Sequence, residues 1–399
     1  MNDTPSDGAL IQKALQSVPL PPRAVQELLR LSHESDVDMQ RIVDTITSDE
    51  ALTARVIRVV NSALFGLTRR VSSVQQATVL LGKGAITQIA VGVAALHIET
   101  AIPTDLPLSR QAFWRHSMGT AFLARHLGRN TSGVDTEEAF TAGLLHDIGK
   151  LVLMGYLGPE YSHVLNEAAT ARRPLHQVER EMLGVDHDDI GRELCNRWKL
   201  SDTFQSALSV HKDGEADALK RIVQTANAAS KAAQVGRSGN AFVHLDRLAL
   251  RDVRQMAQSW AFIQDVPAEV EEIERAFRVS ADRDESASDL QPVRGAGGTV
   301  LVQVADAKLD ALLVMTLAGA GYQPQSVASN GAASPADAEP VAGITDQAGS
   351  TTEEGAWPWL DVAAWRAEHH PETDREAIDI TALCEWLTTQ IDTPATEEA

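Results

Sequence analysis

A chain of 399 residues, 44% of them hydrophobic, carries enough apolar material for two or three domains with a sizeable core. Its formal net charge of −20 opposes association with nucleic acid and with anionic membrane surfaces, so neither is expected as a partner. Two cysteines, Cys195 and Cys384, are too few for a disulfide framework or a zinc ribbon and suit a reducing compartment.

The first residues, Met1–Asp7, lack the basic stretch and apolar core of a signal peptide. The longest apolar run, near Ile86–Ile98, is interrupted by Gln88 and too short to cross a bilayer. A cytoplasmic location is expected.

After a disordered stretch at residues 1–8, helical patterning extends over 9–282. Pro19, Pro21 and Pro22 form a rigid lead-in to a helix over Ala24–Leu31. Ile42, Val43, Ile46, Leu52, Val56, Ile57, Val59 and Val60 recur mostly at three- and four-residue steps, and Asp49 stands at the N-cap position before Ala51–Val60. Gly66, Gly82 and Gly128 are expected to close helices. Arg55, Arg58, Arg69 and Arg70 read as solvated helix faces. Asn61-Ser62 has no base nearby and reads as a packing and hydrogen-bonding pair. Pro103 and Pro107 mark a joint between two lobes, about 9–102 and 109–240. Helices around Arg251–Gln264 and Ala268–Val279 are expected to pack back on them, and no strand is expected before residue 298.

Residues 283–298 are charged and rich in Ser and Gly, the composition of a linker. Beyond it, Thr299–Val304 reads as a buried strand, a helix follows with Leu309, Leu312, Leu313 and Leu317 on one face, and Tyr322–Val327 suits a second strand. Residues 328–356 have the composition of a disordered segment. From 291 to 399 there are four basic residues against 17 acidic ones, so 299–392 reads either as a small α/β module or as a partly disordered acidic region, with 393–399 as a tail.

The chemistry concentrates in the helical part. His146-Asp147, at the end of the apolar run Ala142–Leu145, sets an imidazole and a carboxylate side by side. His116 lies one predicted helix upstream and His187 downstream, so borderline and hard ligands converge from successive helices, as metal sites of helix bundles require. The competing reading makes these histidines hydrogen-bonded core residues that tie helices together. His187 and His211 can equally be ordinary interior or rim residues. His33, His126, His163 and His176 read as structural or exposed.

These motifs resemble the HD superfamily of metal-dependent phosphohydrolases, and more closely its HD-related output domain branch, HDOD. Val18-Pro19-Leu20-Pro21, Asp49–Val56 with Asn61–Gly66, Val74–Ala77 through Gly82, and Arg197–Leu200 carry the resemblance over roughly residues 8–282. It implies a two-lobed, mainly α, multi-helix bundle. It also implies metal ligands at His116, His146 and Asp147, closed by an Asp that here is replaced by Asn227. A neutral amide adds no charge and binds transition metals weakly. His187 and His211 match extra ligand positions of the related HD-GYP phosphodiesterases, but Lys212 stands where a further His would follow. A divalent metal (Mn, Fe, Zn or Mg) is thus expected to be held weakly or partly, and no catalytic residue is assigned.

The segment after the linker resembles a degenerate receiver domain. The acidic pair of receivers falls on Val304 and Ala305, and no lysine follows Lys308, so no phosphoacceptor is expected. The resemblance implies a regulatory signal-transduction protein whose HDOD bundle is an output platform for other signalling proteins. The alternatives are a weakened metal-dependent phosphohydrolase and a non-catalytic nucleotide or phosphate sensor.

Overall fold

The computed structural model describes residues 7–17, 23–32, 38–95, 108–129, 131–171, 173–198, 200, 202–211, 217–239, 242–244, 248, 260–277, 299–303, 307–320, 322–326, 340–345, 359–361, 377–379 and single positions to 389. The Val18–Pro21 stretch, His33, Lys212, the 283–298 linker and Val304-Ala305 lie outside the described residues.

The N-terminal half is helical, as its periodicity predicts. Helices α1 (Asp7–Ser17), α2 (Arg23–Ser32), α3 (Met39–Thr47), α4 (Glu50–Val60), α5 (Val74–Leu81) and α6 (Lys83–Ala95) make the first lobe. The 42–60 pattern is two helices, because Asp49 caps α4 by accepting from the Leu52 amide at 2.9 Å. Gly66 ends a single 3-10 turn in the left-handed conformation. Gly128, by contrast, lies inside its helix, which runs on to a cap at Arg129.

Asn61 has the structural role its surroundings suggested. Its side chain donates to the Val71 carbonyl and accepts from the Val71 amide, both at 2.8 Å, which pins the loop after α4. Asn61→Ala should therefore cost about 2 kcal/mol, readable as a lower urea midpoint with an unchanged slope.

The second lobe comprises α7 (Arg110–Gly128), α8 (Thr136–Leu145), α9 (Ile148–Leu157), α10 (Pro159–Thr170), α11 (Leu175–Leu183), α12 (His187–Arg197), α13 (Asp202–Ala207) and α14 (Ala218–Ala232). The close pair α7–α8 forms its spine, flanked by α14 and by α6 of the first lobe. A Cβ on Gly143 would stand 2.9 Å from the Ala121 Cα and the Thr120 carbonyl, so α8 reaches α7 backbone to backbone there. The lobes share one core. Phe65 meets Phe122 and Phe140 edge to face at 6.0 and 5.6 Å, and the Arg125 guanidinium lies 3.9 Å from the Phe65 ring centre while pairing with Glu137.

One expectation needs correction: a short strand, β1 (Phe242–His244), precedes residue 298. In the region expected as two helices, the described residues hold α15 (Trp260–Phe277), which runs through Pro267. Residues 251–259, the start of the first expected helix, lie outside the described residues. Helix α15 packs on α7 and α4, as a return onto the bundle requires.

The last part is α/β. Strands β2 (Thr299–Gln303), β3 (Gln323–Ser326), β4 (Pro340–Thr345) and β5 (Trp359–Asp361) form a parallel sheet in the order β3-β2-β4-β5. Val300 and Val302 point to one buried face, and Leu309, Leu312, Leu313 and Leu317 of α16 (Ala307–Gly319) are all buried. Pro340–Thr345 falls within the stretch expected to be disordered and is instead a paired strand. Ala377–Asp379 forms β6, which leaves that sheet altogether and pairs antiparallel with β1. A receiver's last strand would have joined the parallel sheet. None of the described helices is long and apolar enough to cross a membrane.

Candidate metal centre

The turn between α8 and α9 builds the centre. His146 is the C-terminal cap of α8, and Asp147 occupies the N-cap position of α9 without spending its side chain on a cap. The carboxylate is thus turned inward, where α7 brings His116 and α12 brings His187. All four side chains are almost fully buried. His116 Nε2 and His146 Nε2 lie 3.9 and 3.3 Å from Asp147 Oδ2, and His187 Nε2 lies 3.7 Å from Asp147 Oδ1.

The hydrogen bonds around this set orient its lone pairs. His146 Nδ1 donates to the Gly143 carbonyl at 2.8 Å, which leaves Nε2 bare. His116 Nδ1 is 3.4 Å from the Ser230 hydroxyl on α14. His116 Nε2, His146 Nε2 and Asp147 Oδ1 are buried without a hydrogen-bond partner. One ligand atom from each residue falls within 4.8 Å of the others, so the three suit a divalent ion with open positions for water. A metal held there would acidify bound water and stabilise charge on a phosphoryl group.

A second group adjoins it: His187, Asp188 and His211. His187 Nε2 is 3.1 Å from His211 Nδ1, and the His211 amide donates to Asp188 at 2.8 Å. Glu179 holds His187 from behind through both its backbone amide and Nδ1, and the Tyr161 hydroxyl donates to the same carboxylate. Burial lowers the His187 pKa most, but the Glu179 and Asp188 carboxylates together overcome it, so the net shift is upward. For His116 and His211 burial dominates and keeps both imidazoles neutral well below the usual histidine range. His176 stacks on His211, its ring 4.9 Å away, and belongs to this cluster rather than to the surface. His163 is exposed, and His126 stacks on Phe262 of α15.

One cation is built in. Lys150, one turn into α9 and fully buried, donates its ammonium to Asp147 Oδ2 at 2.7 Å and to the Ser238 hydroxyl at 3.3 Å. Burial pushes the Asp147 pKa up, yet His146 and Lys150 overcome this and hold the carboxyl well below its usual range. Lys150 therefore competes directly with a metal for Asp147. Asn227 of α14 is buried with its Oδ1 unpaired, and it lines a cleft with His211 and Gln224.

Sequence reading picked out His116, His146, Asp147, His187 and His211, and the fold brings them together. It missed Lys150, Glu179, Tyr161 and Asp188. Lys150 was legible, since it lies three positions after Asp147 on one helical face. Asp188 adjoins His187. Glu179 and Tyr161 carry no local signal, because only the packing of α10 against α11 joins them.

Residues 18–214 match the model of the HDOD domain. An uncharacterized protein of Treponema pallidum (strain Nichols) is 26% identical over 205 residues, which are 51% of this chain and 39% of that relative's length. Among solved structures, a protein from Shewanella amazonensis SB2B provisionally named a phosphohydrolase aligns with TM-score 0.50 and 22% identity over 68% of this chain and 95% of its own. An HDOD domain protein with unknown function from Geobacter sulfurreducens aligns with TM-score 0.49 and 24% identity over 69% and 98%.

Proposed function

Because residues 18–214 are an HDOD domain, we propose that this chain is a regulatory signalling protein whose helical bundle serves as a binding platform for other signalling proteins in the cytoplasm. The observation that carries this reading is the buried Lys150–Asp147 ion pair. It places a fixed positive charge where a hydrolytic metal needs an anionic ligand. Asn227 supplies no compensating carboxylate. The domain keeps the pocket of a phosphohydrolase but spends its key carboxylate on its own lysine. Robust turnover of phosphate esters or cyclic dinucleotides is then not expected.

The second reading is a weakened metal-dependent phosphohydrolase. It draws on the unpaired, mutually facing atoms of His116, His146 and Asp147, which still suit a divalent ion. Calorimetric titration with manganese and zinc, alongside hydrolysis of a generic phosphodiester, separates the two. The wild type should bind weakly, Asn227→Asp should bind at least tenfold more tightly, and His146→Ala should not bind. Tight wild-type binding with rapid hydrolysis would make the protein an enzyme.

A further inference from the structure

The cleft beside the candidate metal centre has a wall made by one short strand. One side is α14, with Gln224, Asn227 and Lys231; the other is β1, with Phe242 and Val243, and His211 lies between. Gln224 Nε2 donates to the Val210 carbonyl at 2.9 Å, but Gln224 Oε1 and Asn227 Oδ1 have no partner although both residues are more than nine-tenths buried. Two unpaired carbonyl oxygens demand N–H or O–H donors. The cleft measures about 30 Å³, enough for water. Displacement of β1 would widen it for a larger molecule with matching donors.

β1 has ties on both sides. Lys231 donates its ammonium to the Phe242 carbonyl at 2.8 Å. The other tie comes from the far end of the chain: Phe242, Val243 and His244 register with Asp379, Ile378 and Ala377. A three-residue strand has little stability alone, and among the described residues β6 is its only strand partner. The same C-terminal unit also rests on the opposite wall, since α16 packs on α14.

We infer that Ala377–Asp379 is a latch: its pairing holds β1 closed over the cleft, and its release opens a path to Gln224, Asn227 and His211 for a small ligand bearing hydrogen-bond donors. The C-terminal α/β unit thereby controls access to the pocket of the HDOD domain. The latch needs no bound metal, so it can fail while the proposed regulatory reading stands, and the reverse.

Hydrogen exchange of the full chain tests the latch, with Ile378→Pro and Asp379→Pro. Successive residues of an antiparallel strand alternate in directing N–H groups at the partner, so one of the two prolines removes a ladder bond. In that variant, exchange at 242–244 should quicken at least tenfold while α7 and α8 keep their protection, and carbethoxylation of His211 by diethyl pyrocarbonate should rise at least threefold. Unchanged exchange at 242–244 in both variants overturns the latch. So does faster exchange there with His211 no more reactive. If both prolines unfold the protein, the wild type decides: amides of 242–244 and 377–379 must share one opening constant, and a difference beyond tenfold rejects the pairing as the controlling contact.

Discussion

Asp147→Ala should destabilise the protein by about 3–5 kcal/mol, because it strands the Lys150 ammonium in the interior. Lys150 is fully buried, and its other hydrogen bond, to the Ser238 hydroxyl at 3.3 Å, carries no charge. Lys150→Met removes the cation and keeps the stem's volume. It leaves Asp147 facing the imidazoles of His116, His146 and His187, a set that suits a divalent ion, so manganese or zinc should bind at least tenfold more tightly than to the wild type. Urea unfolding checks the first claim and calorimetry the second. A Lys150→Met protein with wild-type metal affinity would show that Lys150 does not compete for the site.

Gly149→Ala should be nearly as damaging without touching a charge. A Cβ there would lie 1.9 Å from the His187 carbonyl oxygen and 2.8 Å from the Gly191 nitrogen. Both are backbone atoms, so no rotamer change relieves the clash, and α9 must part from α12. Overpacking of this kind reaches about 3 kcal/mol, a fall in melting temperature of roughly 6–12 °C for a domain this size. The damage should extend to the centre, because α12 carries His187 and Asp188. Gly155 supplies the control on the same helix. It is exposed, and a methyl group added there would meet nothing within 4 Å, so Gly155→Ala should gain up to about 1 kcal/mol from helix propensity. Thermal melts of the two variants should move in opposite directions; parallel shifts would mean that the close crossing does not limit stability.

The sequence by itself determined the helices, several of their caps and most of the candidate ligand set. Asp49 as a cap follows from local chemistry, since a short carboxylate ahead of an apolar periodic run satisfies amides that a helix start leaves bare. His146-Asp147 was legible because both residues sit at one helix end. Their convergence with His116 and His187 was legible from the order of the predicted helices, whereas His211 entered only through resemblance. Tertiary structure decided the rest. Three-residue strands such as β1 and β6 leave no periodicity to read, and their pairing spans residues 242–244 and 377–379. Pro340–Thr345 reads as disordered alone and becomes a strand because β2 and β5 supply both its neighbours. The closing of Lys150 on Asp147, and the bracing of His187 by Glu179 and Tyr161, depend on burial. A charge removed from water must take the partner that packing provides, and no local pattern of residues encodes which one that is.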